Sequence, residues 1–187
     1  MNRFYKNIIL VLAYMVLSSS PGNAAVPDGF AGVPWGATTM QIQQSMAERG
    51  WRSRPSSSPN TMGFEGSFAE SNCIIWFTLE GNSLVRGSAS FCALFPNLKT
   101  TALFYDKAVS QLTEKYGQPN EKQDVLPAGG AYVRWNFNDG ATSDEYTITA
   151  RLDSDGVWTT NRPGKSMYFD VYYEAVSLSK RLKKSQI

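Results

Sequence analysis

The sequence contains no histidine, and its 187 residues include two cysteines. Without an imidazole, the chain lacks the general base of Ser-His-Asp and Cys-His sites and the common ligand set of a catalytic zinc ion. Charged residues are few, at 18% of the chain, whereas 42% are apolar and 13% are aromatic. This composition excludes a disordered protein, and the length fits one compact domain or two small fused halves.

The amino terminus has the pattern of an export signal. Arg3 and Lys6 precede an apolar run from Ile8 to Leu17, and small residues then lead to Ala24. The run is too short to cross about 30 Å of hydrocarbon at roughly 1.5 Å per residue. The pattern predicts a signal peptide over residues 1–24, cleavage near Ala24, and a mature protein that is periplasmic or secreted.

Loss of residues 1–24 changes the charge, because it removes Arg3 and Lys6 and no acidic residue. The 16 basic side chains that remain balance 16 acidic ones. Four of these basic residues lie in a predicted basic tail over residues 180–187. Such a tail is able to contact anionic lipid, but a solvated end is the favoured interpretation. Charge and compartment both argue against nucleic-acid binding.

The two cysteines lie in neighbouring strand-like runs. If Asn82 and Ser83 form the centre of the turn between the runs, Cys73 lies opposite Cys92. Moving the turn back by one residue shifts the pairing by two residues and keeps both cysteines on one face. In an oxidising compartment this arrangement predicts a Cys73–Cys92 disulfide, with two buried reduced thiols as the alternative.

The order of periodic segments predicts an α+β fold with an internal repeat. A helix from Thr38 to Arg49 and a second helix from Lys99 to Lys115 each end at a glycine. Three strand-like runs follow each helix, near residues 61–68, 72–80 and 84–95, and near 131–138, 145–152 and 166–177. We therefore expect two tandem units, each a helix followed by a three-stranded antiparallel meander, with the helices packed on one sheet face. The units span residues 25–97 and 98–179.

Alternation along the strands assigns side chains to faces. In the second unit, Val133, Trp135, Ile148 and Phe169 are predicted to form the floor beneath the helix. In the first unit, Ile74 and Trp76 are expected to share a face with Val85, Ala89 and Phe91, whereas Ile75, Phe77 and Leu79 share the other with the cysteines. Both faces of that strand are apolar. Either the halves pack on each other through it, which is the favoured interpretation, or one face is left for a partner.

Two short motifs carry a resemblance to known proteins. They are Gly32-Val33-Pro34-Trp35-Gly36-Ala37-Thr38 before the first helix, and Lys115-Tyr116-Gly117-Gln118-Pro119 at the end of the second. With the repeated element order, they resemble the β-lactamase inhibitor protein type of tandem domain and the small lipoprotein of the outer-membrane β-barrel assembly machine. The resemblance implies a binding module, either an inhibitor or an envelope accessory, and it carries over no catalytic residue.

Two classes of function remain open. The favoured one is a non-catalytic exported protein-binding module, such as an inhibitor, immunity or envelope-accessory protein, whose partner is another envelope or secreted protein and which needs no metal or cofactor. The alternative is a carboxylate-based hydrolase of envelope glycan, for which Asp144 with Glu145, or Glu65 with Glu70, supply paired acids. A small apolar ligand would need an enclosed cavity, which periodicity does not show.

The predicted partner-binding residues lie mainly on the face of the second unit turned away from its helix. Tyrosine and arginine are frequent among residues that dominate interfaces, because they offer large contact areas. The predicted site consists of Tyr132, Arg134, Tyr168, Tyr172 and Trp158. The alternative interpretation is that these tyrosines cover the sheet and pack against the loop from Asp153 to Lys165.

Overall fold

A computed structural model of the chain describes residues 26–68, 71–91, 98–125, 130–154 and 167–185. The predicted signal peptide, Cys92 and Trp158 lie outside these ranges. The helices are α1 (Thr39–Glu48), α2 (Leu98–Tyr116) and α3 (Val176–Lys184). The strands are β1 (Gly29–Phe30), β2 (Val33–Pro34), β3 (Arg52–Arg54), β4 (Thr61–Phe68), β5 (Ser71–Glu80), β6 (Ser83–Phe91), β7 (Glu121–Val125), β8 (Gly130–Asp139), β9 (Asp144–Ser154) and β10 (Met167–Ala175).

The main sheet is a single antiparallel sheet of eight strands in the order β3-β4-β5-β6-β10-β9-β8-β7, beside a small β1–β2 hairpin. The expected pair of units with one helix and three strands each is therefore wrong. Four strands follow each of α1 and α2, and the extra strands are β3 and β7. Both are short, polar and at a sheet edge, so they carry no alternation of apolar residues by which the sequence would show them.

The halves join edge to edge. Strand β6 pairs with β10, so that Ala89 lies opposite Val171 and Ser88 opposite Tyr172. The expectation that the halves pack face to face through β5 is wrong, because backbone pairing of β6 and β10 makes one continuous sheet. One face of that sheet therefore remains outside the core.

The β5–β6 hairpin explains why faces were misassigned in the first half. Gly81 and Asn82 form its centre with φ of 54° and 64°, and Glu80 pairs with Ser83. Thr78 pairs with Arg86 and Leu79 with Leu84, so Val85 is the extra residue of a bulge in β6 that shifts the register by one. Beyond the bulge Ile75 pairs with Ala89, so Ile75 and Phe77 share the core face with Ala89 and Phe91, where Ile74 and Trp76 were expected.

The core lies between one face of the sheet and the helices α1 and α2. Residues of α2 such as Ala108 and Leu112 are buried with Trp135, Ile148 and Phe169 of the sheet, which confirms the floor expected in the second half. The Trp135 indole donates a hydrogen bond to the Gly117 carbonyl at 2.8 Å, so the end of α2 is tied to β8. In the first half the buried residues of α1 are Ile42 and Met46.

The predicted basic tail begins inside α3. This helix crosses from β9 toward β5 and β6. Its basic side chains pair with acidic residues of the sheet: Lys180 with Glu145 at 3.0 Å, Lys183 with Glu80 at 3.4 Å, and Arg181 with Asp144. Among the described residues, no helix is long and apolar enough to cross a membrane.

Candidate functional site

The sheet face opposite α1 and α2 is here named the open face. Antiparallel pairing places side chains of successive strands in rows across it, because paired residues share a face. One row runs Arg54, Gly63, Trp76, Ser88, Tyr172, Thr149, Arg134 and Glu121, and a parallel row includes Ile74, Ser90, Asp170, Arg151 and Tyr132. Trp76, Tyr132 and Tyr172 are partly exposed and are not packed against the core. The open face is therefore an aromatic and charged surface.

Tyr132 and Arg134 form a rigid cluster near the β8 side of the open face. The guanidinium carbon of Arg134 lies 5.5 Å from the centroid of the Tyr132 ring, within cation–π range. The same guanidinium donates to Glu121 Oε2 and to Thr149 Oγ1, each at 3.3 Å. These contacts favour one arrangement of the two side chains on the open face.

Tyr172 lies at the centre of the open face, on β10. Its hydroxyl donates to Asp170 Oδ2 at 3.2 Å. On the neighbouring strand β6 the facing residues are Ser88 and Ser90, which are small. Trp76 and Ile74 lie on β5, the next strand on the other side of β6, about 10 Å or two strand spacings from β10.

The sequence did not show that Trp76 belongs to this face together with Tyr172. The β-bulge is the reason, since a shift of one residue moves every following side chain to the other face. One signal in the sequence was Gly63 within an otherwise regular strand pattern. A glycine at such a position often marks a place where another group approaches the backbone closely.

The other predicted site residues are not all placed on the open face by the structure. Tyr168 lies on β10, where its backbone pairs with Asp153. Trp158 lies outside the described residues. Cys73 is buried, with 2% exposure, on the core face. Because Cys92 also lies outside the described residues, the disulfide stays a prediction.

The described acids of the pairs considered for a hydrolase lie beside basic side chains. Glu65 lies 3.9 Å from Arg54, whereas Glu70 is outside the described residues. The hydrogen bond from Arg181 is the main cause that lowers the pKa of Asp144, whereas a general acid in a glycosidase needs a raised pKa. In the described part of the chain, no three His, Cys, Asp or Glu side chains are grouped to hold a metal ion.

No family model, curated protein or solved structure matches the chain. The function is therefore inferred from the open face itself. The resemblance to inhibitor and envelope-accessory proteins stays a prediction from its short motifs.

Proposed function

We propose that the chain is an exported, non-catalytic protein-binding module, such as an inhibitor, immunity or envelope-accessory protein. One observation carries the proposal. Tyr132, Arg134 and Tyr172 stand partly exposed on the open face, away from the core, and contacts within the sheet hold them in position.

Preorganisation makes these side chains suited to binding. A side chain that is already ordered loses little conformational freedom when a partner covers it, and immobilising a free one costs about 0.5–1.5 kcal/mol. Tyrosine and arginine also dominate the residues whose truncation weakens interfaces most. A partner that covers Tyr172 would contact both tyrosines and Arg134 on one continuous surface.

Site-specific photo-crosslinking tests this proposal in the envelope. A photoreactive phenylalanine analogue replaces Tyr172 in one variant and Leu103 in the other, because Leu103 is 52% exposed on α2 and serves as the matched control. We expect one protein to crosslink at position 172 and not at 103. The purified partner should then bind the chain directly.

Truncation gives the quantitative test. Tyr172→Ala and Arg134→Ala should each weaken binding of the purified partner by about tenfold or more, whereas Leu103→Ala should not. Melting temperatures of all variants separate binding from folding. A loss of binding that only follows a loss of stability would show that the cluster is structural.

The predicted disulfide is checked separately, by mass spectrometry of non-reduced protein from the envelope. Closing the loop between Cys73 and Cys92 is expected to stabilise the fold by about 3 kcal/mol through the unfolded chain. Two thiols that react with an alkylating agent under denaturing conditions would contradict the prediction.

A further inference from the structure

Trp76 lies flat on the sheet. A Cβ atom built on Gly63 would lie 2.5 Å from Cζ3, 2.9 Å from Cε3 and 3.1 Å from Cη2 of Trp76. The six-membered ring therefore rests on the backbone of β4, where any side chain at position 63 would displace it. With one face of the indole on the sheet, the other face is directed away from it.

The outer face of this indole makes no specific contact within the described part of the fold. Trp35 and Trp135 donate their indole N–H groups to the carbonyls of Pro27 and Gly117, each at 2.8 Å. Trp51 packs against the core, over Gly66. Trp76 makes no hydrogen bond, ring contact or cation–π contact with any described residue and is not packed against the core.

The surroundings of Trp76 are polar and balanced in charge. On the β3–β4 side Arg54 is paired with Glu65 at 3.9 Å, and Arg52 lies opposite Glu65. On the β6–β10 side Arg86 is paired with Glu174 at 2.8 Å, and Asp170 lies on the same face. Ser88 lies opposite Trp76 on β6. The ring is therefore surrounded by hydrogen-bond donors and acceptors without an excess of either charge.

We propose that Trp76 is a stacking platform for a sugar ring of a neutral glycan. The face of an aromatic ring carries partial negative charge, which attracts the polarised C–H groups on the face of a pyranose. The hydroxyls of the sugar both donate and accept, so they match paired arginine and glutamate side chains. The balanced charge favours a neutral ligand over a charged one.

A protein partner fits this position less well. Tryptophans that dominate protein interfaces are enclosed by contacts that exclude water. Around Trp76, however, the facing neighbours are mostly charged, hydroxyl-bearing or glycine, with Ile74 as the apolar exception. This platform is thus distinct from the Tyr132, Arg134 and Tyr172 cluster and does not depend on the protein-binding proposal.

Calorimetric titration of the mature protein with chitohexaose and cellohexaose tests the platform. We expect at least one hexasaccharide to bind, and Trp76→Ala to weaken that binding by about tenfold or more. Gly63→Ala should also weaken it, because its methyl group lifts the indole from β4 while the ring itself remains. Leu103→Ala, which alters an exposed residue of α2 outside both proposed sites, is the control and should change the affinity less than about twofold.

Several results would overturn the platform. One is that neither hexasaccharide binds at about 5 mM; the others are that Trp76→Ala binds as well as the parent, or that Leu103→Ala loses as much affinity as Trp76→Ala. Binding of a polyproline peptide in place of both sugars would show a peptide site instead. Urea unfolding of each variant shows that it is folded, and crosslinking at position 172 tests the protein-binding proposal independently.

Discussion

At the residue scale, three glycines decide where large aromatic rings lie. Gly63 is covered by Trp76 on the open face, Gly66 by Trp51 on the core face, and Gly87 by Phe30. Phe30 comes from the β1–β2 hairpin and packs against Phe77 and Tyr173, at centroid distances of 5.7 and 5.3 Å. The hairpin is thus anchored in the core because position 87 has no side chain.

Gly87→Ala should therefore displace Phe30. The added Cβ would overlap Cδ1 and Cγ of Phe30 and lie 2.7 Å from its Cβ. Overpacking of this kind should lower the free energy of unfolding by about 1–3 kcal/mol, as measured in urea. Gly140→Ala is the control, since a Cβ there meets no atom within 4 Å. Equal effects of the two substitutions would refute this account of the hairpin.

Because two buried tyrosines have raised pKa values, we expect the protein to lose stability at high pH. Burial raises the pKa of Tyr116 to about 12, partly offset by a hydrogen bond with Tyr173, and burial raises the pKa of Tyr173 as well. Between pH 10 and 12 the unfolded chain releases a proton that folded Tyr116 retains. The contribution of Tyr116 is therefore complete below pH 10 and is lost as the pH rises.

Urea unfolding between pH 9 and 12 measures this effect. The free energy of unfolding should fall by up to about 1.4 kcal/mol per pH unit for each proton released. Tyr116→Phe should give a shallower slope, because it removes one of the two groups. Parallel curves for the parent and the variant would mean that Tyr116 does not cause the dependence.

At the element scale, α3 is held to the sheet largely by charge. Arg181 bonds Asp144, and the backbone N–H of Glu145 donates to Ser177 Oγ at 3.0 Å. Because the pKa of Asp144 is lowered from 3.8, its contribution is present above that pH and is lost on acidification.

Exchange of the two charges tests this attachment. Arg181→Asp places two carboxylates together, so the amides of residues 176–185 should exchange hydrogen faster. Combining Arg181→Asp with Asp144→Arg should restore slow exchange, because the pair is rebuilt in reverse. Hydrogen-exchange mass spectrometry compares the variants at low salt, where exposed ion pairs are least screened. Fast exchange in the double variant would contradict a charge-based attachment.

At the scale of the whole molecule, the β6–β10 pair predicts a single unfolding transition. The buried residues of both halves form one continuous cluster, and separation of the halves would expose the backbone edges of two central strands. Circular dichroism at 222 nm and tryptophan fluorescence should therefore give coincident urea transitions. Residues 98–185 expressed alone should not fold. Two separate transitions would indicate independent halves.

Local sequence pattern was sufficient to predict α1, α2 and most of the side-chain orientations in the second half. The predicted helices coincide with α1 and α2 to within a residue or two at each end, because capping residues and terminal glycines act locally. Alternation also assigned Tyr132, Arg134 and Tyr172 to the face away from the core correctly. These features depend on neighbours within one element or one hairpin.

Long-range pairing and register were decided by the tertiary structure alone. The sequence determined helices α1 and α2, the strands that alternate and the buried apolar residues of the second half, but it did not show that α3 is helical. It did not determine that β6 joins β10, nor that a bulge at Val85 of β6 brings Trp76 onto the same face as Ser88 and Tyr172. The physical reason is that backbone hydrogen bonds between strands are the same for every sequence. The choice of partner strand and register therefore depends on packing across the whole core.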